Sequence, residues 1–388
     1  MPCSMACDPQ TLENYAEPRC CGSRQRWKNS IWPPTTSVSQ SPPPRWARRA
    51  SFPHGEIRHE SRDPLPNLTA AVHQEPTMLK FRHVREEELD AFWDAMSVAF
   101  AFDRDKEDED HIYKIFEKDR MIAAFDESHL VGTFGAFSLN MTVPGGALPT
   151  AGTTIVTVLP THRRSGALTG MMNAHFDEVI DKGEPLAALW ASEAPIYGRF
   201  GYGAAADEAA VEISSDRISF EDIDREVSVR IVGLEDALTI FPPIFEAFRL
   251  QRAGTFVRSA DWWRHKRLRD PKEERRGATA QRLAVAYRGE DPVGYIQFRT
   301  KDEWSRGGVP IGAVTIDELI GIDVAAELAL WNFIANMDLM TTVKMRGRPI
   351  DDPLLWTLVD PRHLSRTISD GLWVRVMDVP AALSGRRY

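Results

Sequence analysis

Cysteine is nearly missing from this 388-residue chain: there are four, Cys3, Cys7, Cys20 and Cys21, all close to the start. The rest carries no thiol, which excludes a disulfide framework, a cysteine nucleophile and thiolate metal ligands there, and suits a reducing cytoplasm. The spacing of the four fits no usual zinc knuckle, so no metal is expected. No stretch approaches the roughly 20 apolar residues of a membrane span. The opening Met1-Pro2-Cys3-Ser4 lacks the basic-then-apolar order of a secretory signal. Positive charge is in deficit too. A net charge of -9 argues against nucleic-acid or anionic-membrane partners and favours a cationic one.

Proline is unevenly spread. Twelve of the 26 prolines fall within residues 1–77, among them Pro33-Pro34 and Pro42-Pro43-Pro44. No amphipathic period interrupts them, so this leader is expected to be disordered, with Met78 a candidate initiator. After Met78 the pattern changes to alternating elements. Met121–Phe125 and Leu130–Phe137 read as an antiparallel pair across the turn 126–129, and 139–146 as a further strand and turn. A strand at 153–159, a helix from about 166 to Lys182 stopped by Gly183, and a strand at 186–190 follow. Ala210–Ile213 is expected to close this first block.

A second block from about Val227 repeats the order faintly: a helix over Pro242–Arg252, strands at 282–288 and 293–299, a strand ending near Ile320 and a helix over 323–336. Asp261, Trp262 and Trp263 read as packing. The strand at 371–380 cannot bury itself alone. It is expected either to dock on the second block or to open a domain that is missing.

Residues 155–170 carry the strongest functional signal. A β-branched run hands over through Pro160 to Arg163, Arg164 and Gly166 at a helix start. Unpaired N–H groups, the helix dipole and two forked guanidiniums are suited to a diphosphate. At about 1.5–3 kcal/mol per charge-assisted bond, they suffice for micromolar binding of a nucleotide-like cofactor. The corresponding place in the second block reads Glu318-Leu319-Ile320-Gly321-Ile322-Asp323, whose acids make a poor phosphate cradle. His162 reads as a loop residue rather than a base.

The run Val156-x-Val158-x-Pro160-x-x-Arg163-Arg164-x-Gly166-x-Leu168, with Ala191–Gly203, Leu148–Gly152 and Gly371–Leu383, resembles the enhanced intracellular survival (Eis) family of GNAT acetyltransferases. The resemblance covers residues 78–388. It implies an α+β chain of tandem GNAT folds, with mixed, mostly antiparallel sheets flanked by helices. The divisions would be a catalytic, acetyl-CoA-binding GNAT domain at 78–215, a second GNAT-like domain without cofactor at 216–365, and the first strand of a truncated sterol-carrier-like domain at 366–388. By that likeness, Val156 and Val158 offer backbone groups to the pantetheine arm, and Arg163, Arg164, Gly166, Ala167 and Leu168 hold the pyrophosphate. Ser192 lies near the arm and Tyr197 is the general acid. The family's substrates imply aminoglycoside-like polycationic amines as acceptors, and its members assemble as hexamers. The family also uses its own terminal carboxylate as base. Because this sequence ends at Tyr388, that base is expected to be absent, which makes a catalytically impaired CoA-binding fragment the alternative expectation.

Overall fold

The structure, a computed structural model, describes residues 78–104 and 106–387. The proline-rich leader, its cysteines and the question of a start at Met78 lie outside the described residues. The chain enters through β1 (Lys80–His83), α1 (Leu89–Phe100) and α2 (Lys106–Tyr113). It continues through β2 (Met121–Asp126), β3 (His129–Val143), β4 (Gly146–Val158), α3 (Ala167–Asp181), β5 (Leu186–Trp190), the single turn α4 (Ala194–Tyr197) and β6 (Gly203–Ala204). A second set comprises β7 (Asp207–Ser214), β8 (Val227–Val232), α5 (Leu234–Arg249), the turn α6 (Ala260–Trp262), β9 (Arg282–Arg288), β10 (Asp291–Lys301), β11 (Gly312–Gly321), α7 (Val324–Ala335), β12 (Met340–Arg348) and α8 (Leu354–Thr357). Last come β13 (Ser365–Asp370), β14 (Leu372–Val376) and α9 (Val379–Ser384).

These strands form two sheets, in the orders β1-β2-β3-β4-β5-β14-β6 and β13-β7-β12-β11-β10-β9-β8. Each is antiparallel except for one pair, β4 with β5 and β11 with β12. The helical crossovers that a parallel pair requires are α3 and α7. Both bury an apolar face on their sheet: Met171, Met172, Phe176 and Val179 in α3, Ala326, Leu330, Trp331 and Ile334 in α7. Gly170 lets α3 approach β1, since a Cβ there would stand 2.0 Å from the Phe81 ring.

The sheets exchange strands, which the sequence did not announce. Ala210–Ile213, expected to close the first block, belongs to β7 and pairs with β12 and β13 in the second sheet. The strand at Leu372–Val376, expected to dock on the second block or open a further domain, instead lies in the first sheet between β5 and β6. The physical reason is period-two alternation matched to a free edge. Leu372 and Val374 join Met141, Leu186 and Ala188 on one face, while Trp373 packs towards α3 on the other. The crossing is stitched by the Ala205 N–H to the Leu372 carbonyl (2.8 Å) and the Gly371 N–H to the Ala206 carbonyl (2.9 Å). Residues 254–257 make a second weld along β3: the Gly254 N–H donates to the Thr142 carbonyl (2.9 Å) and the Val257 N–H to that of Asn140 (3.0 Å).

Two further elements differ from expectation. The pieces anticipated at 130–137, 139–146 and 153–159 are one long hairpin of β3 and β4. The helix expected at Pro242 begins at Leu234, with Pro242 and Pro243 inside it. Burial of Ala237, Phe241, Ile244 and Phe245 outweighs the lost backbone bonds there. Trp263 is buried beside Phe245 and Tyr295, the packing role expected of it. Among the described residues no helix is long and apolar enough to cross a membrane.

The exchange predicts a stability effect far from any chemistry. Leu372→Ala should cost about 2–5 kcal/mol in urea unfolding, by emptying a buried site in the first sheet. Ile368→Ala, exposed on β13, should stay within about 0.5 kcal/mol. Equal effects of the two would contradict the placement of β14.

Candidate active site

β4 and β5 are neighbours only from Thr150 to Gly152, opposite Leu186 to Ala188. Beyond Gly152 they diverge, and among the described residues the β5-facing edge of β4 has no strand partner through Val158. A β-bulge sharpens the opening. Pairing shifts from Thr133 opposite Thr157 to Gly135 opposite Thr154, leaving Ile155 and Val156 together facing Phe134. Ile155 takes a left-handed φ of 46°, unfavourable for a β-branched side chain. It is held there by the Thr133 hydroxyl, which donates to its carbonyl at 2.8 Å. Gly135 leaves the room: a Cβ there would lie 2.8 Å from Ile155 Cδ1. The bulge turns the backbone of Val156 out of register, into the opening.

The chain then turns through residues 160–166 into α3. Ser165 Oγ donates to the His162 carbonyl at 2.7 Å, and His162 Nε2 lies 3.2 Å from Asp126 Oδ2, so this imidazole is engaged by its own loop. Gly166 occupies the position before the helix with φ 88° and provides no side-chain cap. A Cβ on it would meet nothing within 4 Å. The first N–H groups of α3, from Ala167 onward, are therefore orphans facing open space. Arg163 and Arg164 stand exposed beside them, and neither has an ion-pair or hydrogen-bond partner among the described residues.

The opening is a cavity of about 710 Å³ whose lining brings together Val156, Val158, Arg163, Arg164, Gly166, Ala167, Leu168, Ser192 and Tyr197, every site residue expected from the sequence. Ala99 and Phe100 at the end of α1, Glu193 beside Ser192, and Arg199 just after Tyr197 also line it. Tyr197 ends α4 and is 7% exposed. Burial raises its pKa above the ordinary 10.0; the neighbouring Ser192 hydroxyl opposes that shift and the Glu193 charge adds to it.

Behind Tyr197 lies a polar chain that sequence reasoning missed. The Tyr202 ring meets Tyr197 edge-on at 6.2 Å. The Tyr202 hydroxyl is 2.9 Å from Thr153 Oγ1, itself 3.1 Å from His175 Nε2. Burial pushes Tyr202 up to about 12, although its bond to Thr153 opposes the shift, and drives the fully buried His175 down to about 3. Only the alternation of β4, which points Thr153 inward, hinted at this in the sequence.

The matching corner of the second sheet is built differently. Asp323 caps α7 with its own carboxylate, accepting the Ala326 N–H at 2.9 Å. A Cβ on Gly321 would lie 2.7 Å from the Glu327 nitrogen, so the backbone is closed on itself. Glu318 is satisfied by Arg258 (2.8 Å), Arg267 (3.1 Å) and the Tyr295 hydroxyl (2.7 Å).

One helix start is thus uncapped and its counterpart in the second sheet is self-capped. Residues 80–205 and 254–376 each match a model described as an acetyltransferase (GNAT) domain. An uncharacterized N-acetyltransferase of Streptomyces avermitilis is 38% identical over 311 residues, covering 79% of this chain and 76% of the relative. The N-acetyltransferase Eis of Mycobacterium tuberculosis is 36% identical over 272 residues, covering 67% and 63% respectively. The chain belongs to the GNAT family of N-acetyltransferases. The crystal structure of Eis1 from Mycobacterium abscessus superposes with a TM-score of 0.67 at 28% identity, over 80% of this chain and 76% of that one. The second GNAT match includes β14, which hydrogen-bonds in the first sheet. The tandem GNAT units expected from the sequence are present, and a strand exchange joins them.

Enzymes of the GNAT type use acetyl-CoA, and the corner fits such a group: orphan amides and unpaired guanidiniums for phosphates, a splayed strand edge for an amide-bearing arm. The buried histidine yields a pH prediction. Its folded pKa lies below the unfolded value near 6.5, so the unfolded chain takes up the proton first as pH falls. Stability from neutral His175 is complete above about pH 6.5 and drains away towards pH 3. Between pH 7.5 and 5 this group should remove about 2 kcal/mol in urea unfolding. His175→Gln should lack that component; an unchanged pH slope would contradict it.

Proposed function

We propose that this chain transfers an acetyl group from acetyl-CoA to a primary amine of a polycationic, aminoglycoside-like molecule, by direct attack with Tyr197 as general acid. In this reading the first GNAT unit binds acetyl-CoA and the second does not. The observation that carries it is the uncapped α3 N-terminus with Arg163 and Arg164 unpaired beside it, opening into the same cavity as Tyr197.

The roles follow from position. Arg163, Arg164 and the amides of Ala167 and Leu168 hold the diphosphate, while the backbone of Val156 and Val158 aligns the arm. Acetyl-CoA supplies a thioester whose carbonyl an amine can attack. Tyr197, kept protonated by burial, donates its proton to the departing sulfur as the C–S bond breaks, and the proton shed by the acylated nitrogen passes through solvent to restore the phenol. Ser192, beside the phenol, orients it. The net charge of -9 favours a cationic acceptor over a neutral one. No cysteine follows Cys21, which supports transfer without a thioester on the enzyme.

Thiol release from acetyl-CoA with kanamycin as acceptor tests the reading. Tyr197→Phe should lower kcat by about 10²–10⁴-fold with little change in acetyl-CoA affinity. It should also remove the alkaline fall in rate, which in the parent lies above pH 10 because the phenol acts only while protonated. Arg163→Ala with Arg164→Ala should weaken acetyl-CoA by at least about 100-fold, from two lost charge-assisted bonds. Parent-like kcat in the phenylalanine variant, or parent-like affinity in the alanine pair, would sink the assignment.

A further inference from the structure

Arg375 is the penultimate residue of β14, on the face turned towards α3. Its guanidinium sits 3.9 Å above the Phe176 ring, and Nη1 donates to the Phe200 carbonyl. Phe200 ends the short turn Gly198–Phe200 that begins directly after Tyr197. Gly201 follows with φ 79°, and a Cβ on it would stand 3.4 Å from Arg375 Nη1. The Tyr202 N–H then closes the turn on the Tyr197 carbonyl at 3.3 Å. Among the described residues no carboxylate pairs with Arg375. A half-buried guanidinium would ordinarily be neutralised; here the ring and a backbone carbonyl hold it. Its charge also reaches inward, helping to keep His175 neutral and opposing the rise at Tyr202.

We propose that Arg375 is a positioning residue for acetyl transfer, fixing the 198–201 turn so that the Tyr197 hydroxyl stays directed into the cavity. This rests on Tyr197 as the general acid. It also gives the strand exchange a catalytic consequence. A residue from near the end of the chain sets the geometry of the first GNAT unit, and a loosened turn displaces the phenol without touching the phosphate corner. Misplacement of about 1 Å at a reacting group typically costs on the order of 100-fold in rate.

The test compares Arg375→Met and Arg375→Lys with the parent, alone and with Tyr197→Phe, by thiol release and by acetyl-CoA calorimetry. Arg375→Met should lower kcat by about 100-fold while the acetyl-CoA Kd stays within about threefold. Arg375→Lys, which still offers a donor, should recover to within about tenfold of the parent, and carries the comparison if the methionine variant does not fold. In the Tyr197→Phe background Arg375→Met should add less than about threefold, because the group it positions is gone. Unchanged kcat in Arg375→Met, or the same loss in both backgrounds, overturns the proposal. Amide exchange gives an arm independent of the acceptor. Residues 197–203 should exchange about tenfold faster in Arg375→Met while 163–168 are unaffected, and no acceleration there overturns it too. If Tyr197→Phe keeps the parent rate, the general-acid reading fails by itself, and the exchange arm still decides whether Arg375 holds the turn.

Discussion

Among the described residues nothing bonds to the first N–H groups of α3. Every helix end presents such orphans, and an isolated end in water loses little by it. Here the orphans open into a cavity beside two unpaired guanidiniums, where an anion can satisfy them at once. The contrast with α7 gives this meaning. The same position in the second sheet carries Asp323, whose carboxylate does for α7 what a phosphate would do for α3. A glycine without a side-chain cap stands in one unit and a capping aspartate in the other, so only the first helix start is left for the proposed ligand.

The surrounding architecture keeps that corner open. Divergence of β4 from β5 exposes a strand edge, and the Ile155 bulge, made possible by Gly135 and pinned by Thr133, turns the edge inward. A gap between two strands weakens a sheet. Pairing of β14 along the far edge of β5 gives that strand a full ladder on the side away from the opening, and it places Arg375 under the turn carrying Tyr197. The exchanged strands thus supply both stability and side-chain geometry to a unit whose own contiguous sequence ends at β6.

The legible parts of the chain were those governed by local chemistry. Arg163, Arg164 and Gly166 spell a helix start next to a β-branched strand, and residue type and spacing place it there. Family resemblance placed Val156, Val158, Ser192 and Tyr197 in the same lining. What escaped was non-local. Nothing within Asp207–Ser214 or Leu372–Val376 says which sheet edge it will meet, because alternation fixes which face is buried and not the partner. The bulge at Ile155 was hidden since a β-branched residue with positive φ runs against every local preference, and only Gly135, twenty residues earlier, makes the room. The Tyr202–Thr153–His175 chain escaped for the same reason: three elements had to be folded before its members met.

The central claim concerns phosphates at a single corner, and calorimetry on the full chain addresses it most directly. Acetyl-CoA and S-acetylpantetheine share the reacting thioester and arm, but only the first carries the diphosphate. The account predicts one acetyl-CoA site per chain, with affinity falling by about 100-fold or more for S-acetylpantetheine. Equal affinities for the two compounds, or two acetyl-CoA sites per chain, would contradict it.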